Sequence, residues 1–192
     1  MAPRTEPAPT GTLAALRAAT RPAHEAIDGA FAGGLRTRDD YHRYLRALLP
    51  LARWLDASWR REWPPHLACW HDPGRVACLH ADLAALGDAP VATTPVASAS
   101  VAEWMGGCYV IEGSVLGARL LVRDVAAIPR GPGGDALPRT FLDRHLGDRG
   151  RWPRFRATLG AIGPGDLPDT LRGARHGFAL VAAALAREGR LA

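Results

Sequence analysis

The chain contains no lysine. All 24 of its basic residues are arginine, set against 19 acidic ones, which leaves a formal net charge of +5. Such a balance can mark a nucleic-acid partner. Here the arginines are scattered and do not alternate with aromatics as a base-stacking platform requires. In a sequence rich in Ala, Gly and Pro, arginine at every basic position reads as a coding bias of the source genome. Nucleic acid is not expected as a partner; a positive patch for an anionic ligand or an acidic protein is.

Long hydrophobic runs are also missing. No uninterrupted apolar run reaches the ~20 residues that span a bilayer, and residues 1–10 lack the apolar stretch of a secretory signal. No membrane association is expected. Cysteine is scarce: Cys69, Cys78 and Cys108 form no C-x-x-C, which suggests reduced thiols and a cytoplasmic protein. The phosphate-binding, nucleophile-elbow and dinucleotide motifs G-x-x-x-x-G-K-[ST], G-x-S-x-G and G-x-G-x-x-G are absent. No Val/Ile/Thr alternation of any length argues for strands.

What is present has helical period. Leu13, Leu16, Thr20, Ala23 and Ile27 predict a first helix over about 11–28, made irregular by Pro22. Thr37, with Asp40 three residues on, resembles an N-terminal cap and opens a second helix that Pro50 should kink and Pro64-Pro65 end. Further helices fit about 72–87, 98–127, 139–146, 151–162 and 168–188, with loops at 88–97 and 129–138. The expected organisation is a disordered segment 1–10 followed by one all-α domain over 11–192.

Within the segment 98–127, Gly106, Gly107, Gly113 and Gly117 stand inside a helix. Each interior glycine costs roughly 0.8–1 kcal/mol relative to alanine, so four need a reason. On a helical wheel Gly106, Gly113 and Gly117 share one side, beside Ser114 and Ala118. Glu112, Arg119 and Arg123 occupy the other, expected to be wetted. A helix with one side bare of side chains lets something flat lie against its backbone.

The first helix carries the other suggestive pattern. His24 lies on its apolar side, with Arg17 two turns and Arg21 one turn earlier. An imidazole backed by apolar residues suits heme iron, and flanking arginines suit carboxylates such as the propionates; taken alone, the pattern equally describes a satisfied, partly buried histidine beside two solvated arginines. Cys69, His71, Cys78 and His80, with His66, superficially offer zinc ligands. Their spacing lacks the paired cysteines of structural zinc sites, and residues two apart on a helix diverge.

Together the two patterns resemble the heme oxygenase family, in its bacterial, biliverdin-producing branch. Leu13 to Glu25 is similar to the first helix of that family, with its proximal histidine. Tyr109 to Leu121 is similar to the distal helix, in the form E-G-S-x-L-G-[AG]. Further similarity lies in Ala81–Gly87, in Arg144-His145-Leu146, and in Trp152 with Phe155. The resemblance implies a single-domain helical bundle holding heme between the first, proximal helix and a glycine-kinked distal helix.

It implies His24 as iron ligand, and Gly113 and Gly117 as backbone over the heme, where the reaction occurs. Ser114 stands where the mammalian branch has an aspartate ordering distal water, and Ala118 where it has a second glycine. Arg17 and Arg21 match propionate-contacting positions, and Phe178 a position near the heme edge. The implied activity is cleavage of heme at a meso carbon to biliverdin, carbon monoxide and ferrous iron. Heme is both substrate and cofactor, O2 the co-substrate, and a ferredoxin- or flavodoxin-like protein with its reductase the electron donor. A phytochrome-type photoreceptor is a candidate recipient of biliverdin. The alternative is a noncatalytic heme- or bilin-binding carrier on the same scaffold.

Overall fold

Where helices form is largely a matter of where the chain can be capped and where it is stopped. The computed structural model describes residues 11–89, 98–129 and 136–188. The expected disordered segment 1–10 lies outside the described residues, as do most of the loops expected at 88–97 and 129–138. In order come α1 (Thr12–Ala30), α2 (Arg38–Ser58), α3 (Gly74–Ala85), α4 (Val101–Gly113), α5 (Val115–Ala127), α6 (Thr140–Leu146), α7 (Arg151–Gly160) and α8 (Leu167–Glu188). A short 3-10 turn at Pro65–Trp70, which sequence periodicity did not reveal, links α2 to α3. No strand occurs among the described residues.

Thr37 and Asp40 form a reciprocal capping box on α2, and Ser100 and Glu103 form a second on α4. Each satisfies two of the backbone donors that a helix start leaves orphaned. Pro22 and Pro50 sit inside α1 and α2, neither of which ends there. The segment expected as one helix over 98–127 is two, broken at Ser114. By length and mean hydropathy, Val101–Ala127 matches a membrane span, yet 56% of that window is buried inside the protein. Its α4 half, Trp104 to Glu112, is buried in the core of the bundle, whereas most of α5 is exposed.

α8 is the hub. It packs along α4, α1 and α2. Against α4 the approach is backbone to backbone: a Cβ on Gly106 would lie 2.0 Å from the Thr170 carbonyl oxygen, and one on Gly173 1.8 Å from that of Glu103. Gly107 likewise lies under the Trp54 ring of α2. Gly106 and Gly107 therefore serve helix packing. A core of leucines and aromatics from all these elements, among them Leu16, Leu45, Leu51, Trp104, Ile111 and Phe155, fills the space between them. Burying side chains of this size supplies ~1.5–3 kcal/mol each.

A second tie closes the far end. Asp88, after α3, accepts from Arg46 and pairs with His42 at 2.8 Å, while Arg46 also meets Glu188 at the end of α8 at 2.8 Å.

Candidate functional site

α1 presents His24 outward. Its side chain is 60% exposed, and Nδ1 lies 2.8 Å from the Asp28 carboxylate, one turn on. A carboxylate at that distance favours a proton on Nδ1, the arrangement in which metal-ligating histidines leave Nε2 for the metal. The imidazole also makes an edge contact with Phe178 of α8, ring centroids 5.9 Å apart. Arg17 and Arg21 are exposed beside it. Among the described residues neither has an ion-pair partner.

The other wall is α4 and α5. Its level relative to His24 follows from α8, where Gly177 packs on Val110 of α4 while its neighbour Phe178 faces His24. Thr20, one turn before His24, gives a second tie. Its hydroxyl donates to the Leu16 carbonyl at 2.8 Å and faces the phenol of Tyr109, one turn before Gly113. Burial pushes the Tyr109 phenol up, opposed by the Thr20 contact and by nearby Arg17. α1 and α4 thus meet at Thr20 and Tyr109, just before each helix presents its candidate residues.

At Ser114 the helix breaks. The Ser114 hydroxyl donates to the Ile111 carbonyl at 2.8 Å, a back-bond that bends helices. It also lies 3.0 Å from Nε2 of buried His145. A hydroxyl has one proton; with that given to Ile111, Ser114 Oγ accepts and His145 Nε2 donates. Burial holds the His145 pKa down at about 3, with Arg75 and Arg151 adding to the effect, so the ring is neutral.

Past the break α5 leaves α8 and packs on α6. The bare stripe that α8 covers at Gly106 is therefore uncovered at Gly117, where an added Cβ would meet nothing within 4 Å. Gly113 is half-buried, with the Trp152 ring 3.5 Å from its hypothetical Cβ. Leu116 and Leu120, 48% and 70% exposed, flank the stripe. They are the large hydrophobic side chains left in solvent among the described residues. Apolar groups in such a row signify a surface that something covers.

Three expectations are corrected. Glu112 is not on a wetted face: it is fully buried, accepting from Arg75 at 2.8 Å and from Arg151 at 2.7 and 2.9 Å. A buried carboxylate persists only when paired and hydrogen-bonded, and its partners lie far away in sequence. Ala118 is 1% exposed and points into the core, not toward the open stripe. Ser114 uses its hydroxyl on Ile111 and His145 rather than on the open face. Of the histidines and cysteines considered for zinc, His71 bonds Asp56 at 2.9 Å and stacks on Trp59, and the Cys69 thiol donates to the His66 carbonyl. A cleft of about 370 Å3 lies behind the break, lined by Asp72, Arg75, Arg144, His145 and Arg151 among others, and includes neither His24 nor Gly117.

No protein-family model matches the chain. A heme oxygenase of Xanthomonas campestris pv. campestris (strain 8004) is 37% identical to it over an alignment of 126 residues that covers 63% of this chain and 73% of that protein. The chain belongs to the heme oxygenase family. The structures of NO- and CO-bound heme oxygenase from Neisseria meningitidis share its fold with a TM-score of 0.67, at 21% identity over 96% of this chain and 94% of that one. Asp28, beside His24, is a candidate site residue that sequence reading missed. Its place one turn after His24 on an amphipathic helix was the available signal.

Proposed function

We propose that the protein is a heme oxygenase that cleaves heme at a meso carbon, yielding biliverdin, carbon monoxide and ferrous iron. The observation that carries this is the pairing of two half-sites. One is an exposed imidazole with the Asp28 carboxylate 2.8 Å from its Nδ1. The other is an open, side-chain-free helix stripe bordered by exposed leucines, joined to the first through Phe178 and α8.

The residues fit heme on these grounds. His24 Nε2 is free to ligate iron, and the Asp28 carboxylate would raise its basicity. Leu116, Gly117 and Leu120 offer apolar contact to a flat macrocycle, while Phe178, largely buried, backs the His24 ring. Arg17 and Arg21, without an ion-pair partner among the described residues, would take the propionates. Bound heme supplies the oxygen chemistry and is itself cut. The protein's part is to hold the ring through His24, bring the backbone at Gly113 and Gly117 close to it and keep bulk away from that face. A neutral imidazole also withholds the strong electron push of a thiolate, which favours oxygen–oxygen cleavage.

The same reading takes O2 as co-substrate and electrons from a ferredoxin- or flavodoxin-like protein, whose acidic surface the net charge of +5 would attract. Three free cysteines support work in the reducing cytoplasm. Biliverdin supply to a phytochrome-type photoreceptor is a use of the product that this reading accommodates.

The test is a hemin titration followed by reductant and donor under oxygen. A Soret band saturating near one heme per chain, then conversion to biliverdin with carbon monoxide released, is expected. Stable binding without turnover would leave a carrier, and absence of binding would refute the heme reading. His24→Ala should lose the histidine-ligated spectrum and regain it with added imidazole.

A further inference from the structure

Glu112, Gly113 and Ser114 stand consecutively at the helix break, and both neighbours of the glycine are held from outside the helix. On one side the Glu112 carboxylate, fully buried, is gripped by Arg75 of α3 and by Arg151 at the start of α7. Arg151 is itself fixed by the carbonyls of Cys69 and Trp70, at 2.9 and 3.1 Å. On the other side Ser114 is held by His145 of α6 at 3.0 Å. Asp72 extends the frame by pairing with Arg144 and lying 4.0 Å from Arg75.

A stability role alone explains this poorly. A buried ion cluster contributes less to stability than well-packed apolar residues of similar volume would, because desolvation offsets its Coulomb attraction. Its strength is geometric. Arginine forks hold a carboxylate in one orientation, and four bonds from α3, α6 and α7 converge on residues either side of Gly113. Gly113 cannot anchor itself, having no side chain, and what its Cβ would meet is only the Trp152 ring at ordinary contact distance.

We propose that Arg75 and Arg151, acting through Glu112, together with His145, acting through Ser114, are positioning residues that set where the backbone at Gly113–Gly117 stands over the bound macrocycle, and so which meso edge is presented for cleavage. They form a clamp on the helix break and do not touch the heme. The clamp itself is independent of the heme assignment; its effect on the product rests on it.

The test uses Glu112→Gln and Arg151→Met in the full chain, with Arg151→Lys read in the same way should Arg151→Met not fold. In the heme-free proteins, amide exchange is expected to quicken roughly tenfold or more over 113–118, matching loss of one charge-assisted hydrogen bond, with residues 173–178 of α8 unchanged. After hemin is added, the His24-ligated spectrum should persist while the proportions of biliverdin isomers shift. Equal acceleration across both helices, or none over 113–118, would overturn the clamp. Faster local exchange with unchanged isomer proportions would overturn its link to cleavage. If the wild-type chain bound no hemin, the proposed function would fall while the exchange arm still judged the clamp.

Discussion

Acidification should destabilise this protein through one histidine. His145 is buried beside Ser114, and its pKa is held at about 3 against an ordinary 6.5, by burial first and then by Arg75 and Arg151. A folded-state pKa below the unfolded one means the unfolded chain binds the proton first. Stability is then highest above the unfolded pKa and falls as pH drops through the window from about 6.5 to about 3. Going from about pH 7.5 to about pH 4.5 crosses two decades of that window, worth about 2.7 kcal/mol. With a urea slope of about 2 kcal/mol per M, the midpoint should fall by about 1.3 M from this group alone.

The control is His145→Gln, whose side-chain amide can still donate to Ser114 but does not titrate. Subtracting the variant's loss from the wild type's removes every other titrating group. Urea melts at both pH values, followed by circular dichroism, give the two losses. Equal losses in the two proteins would refute the reasoning, as would a His145 imidazole NMR signal titrating near pH 6.5 in the folded wild type.

Two alanine substitutions should separate the purposes of the glycines. Gly117→Ala adds a methyl to open space, so the protein should gain up to about 1 kcal/mol of stability from helix propensity, yet bind hemin more weakly in a titration. Gly106→Ala drives a methyl onto the Thr170 carbonyl and should cost ~3 kcal/mol of stability or more, as overpacking does, seen as a sharp drop in the thermal midpoint. Asp28→Ala should loosen the His24 ring and weaken hemin affinity ~10-fold or more, measured by competition with a heme-binding globin, without changing the melt. Below about pH 4 a further loss is expected at Asp88. Its carboxyl is held below the ordinary value by Arg46, with His42 assisting. The unfolded carboxyl takes its proton first as pH falls, so stability drops there, and Asp88→Asn should remove that part of the acid response.

Much of this fold was legible because its signals are local. Thr37 and Asp40 announce the start of α2 through residues three apart, and the leucine period of α1 announces its buried side. His24 could be singled out as a candidate from its helical position, although its expected place on the apolar side of α1 is in fact an exposed one. The break at Ser114 was not legible as a boundary, since residues 101–127 read as one apolar segment and a back-bond to Ile111 leaves no trace in periodicity. Glu112 misled for a different reason. A carboxylate looks wetted unless its partners are known, and Arg75 and Arg151 reach it from 37 and 39 residues away. The helical wheel was correct that Gly106 and Gly117 share a stripe. It could not show that α8 covers one end of it and leaves the other bare.

The contact of α4 with α8 has a mechanical corollary. At Gly106 and Gly173 the two helices touch through their main chains, so neither can slide or roll without collision. α1 leans on the same α8 through side chains such as the His24–Phe178 edge contact. The α4 half of the bare stripe is therefore fixed to the spine, whereas α1 meets that spine through side chains and the stretch beyond Ser114 packs on α6 instead. Relative movement of α1 and α4 along α8 is thus resisted at one helix only, and any widening between them falls to α1.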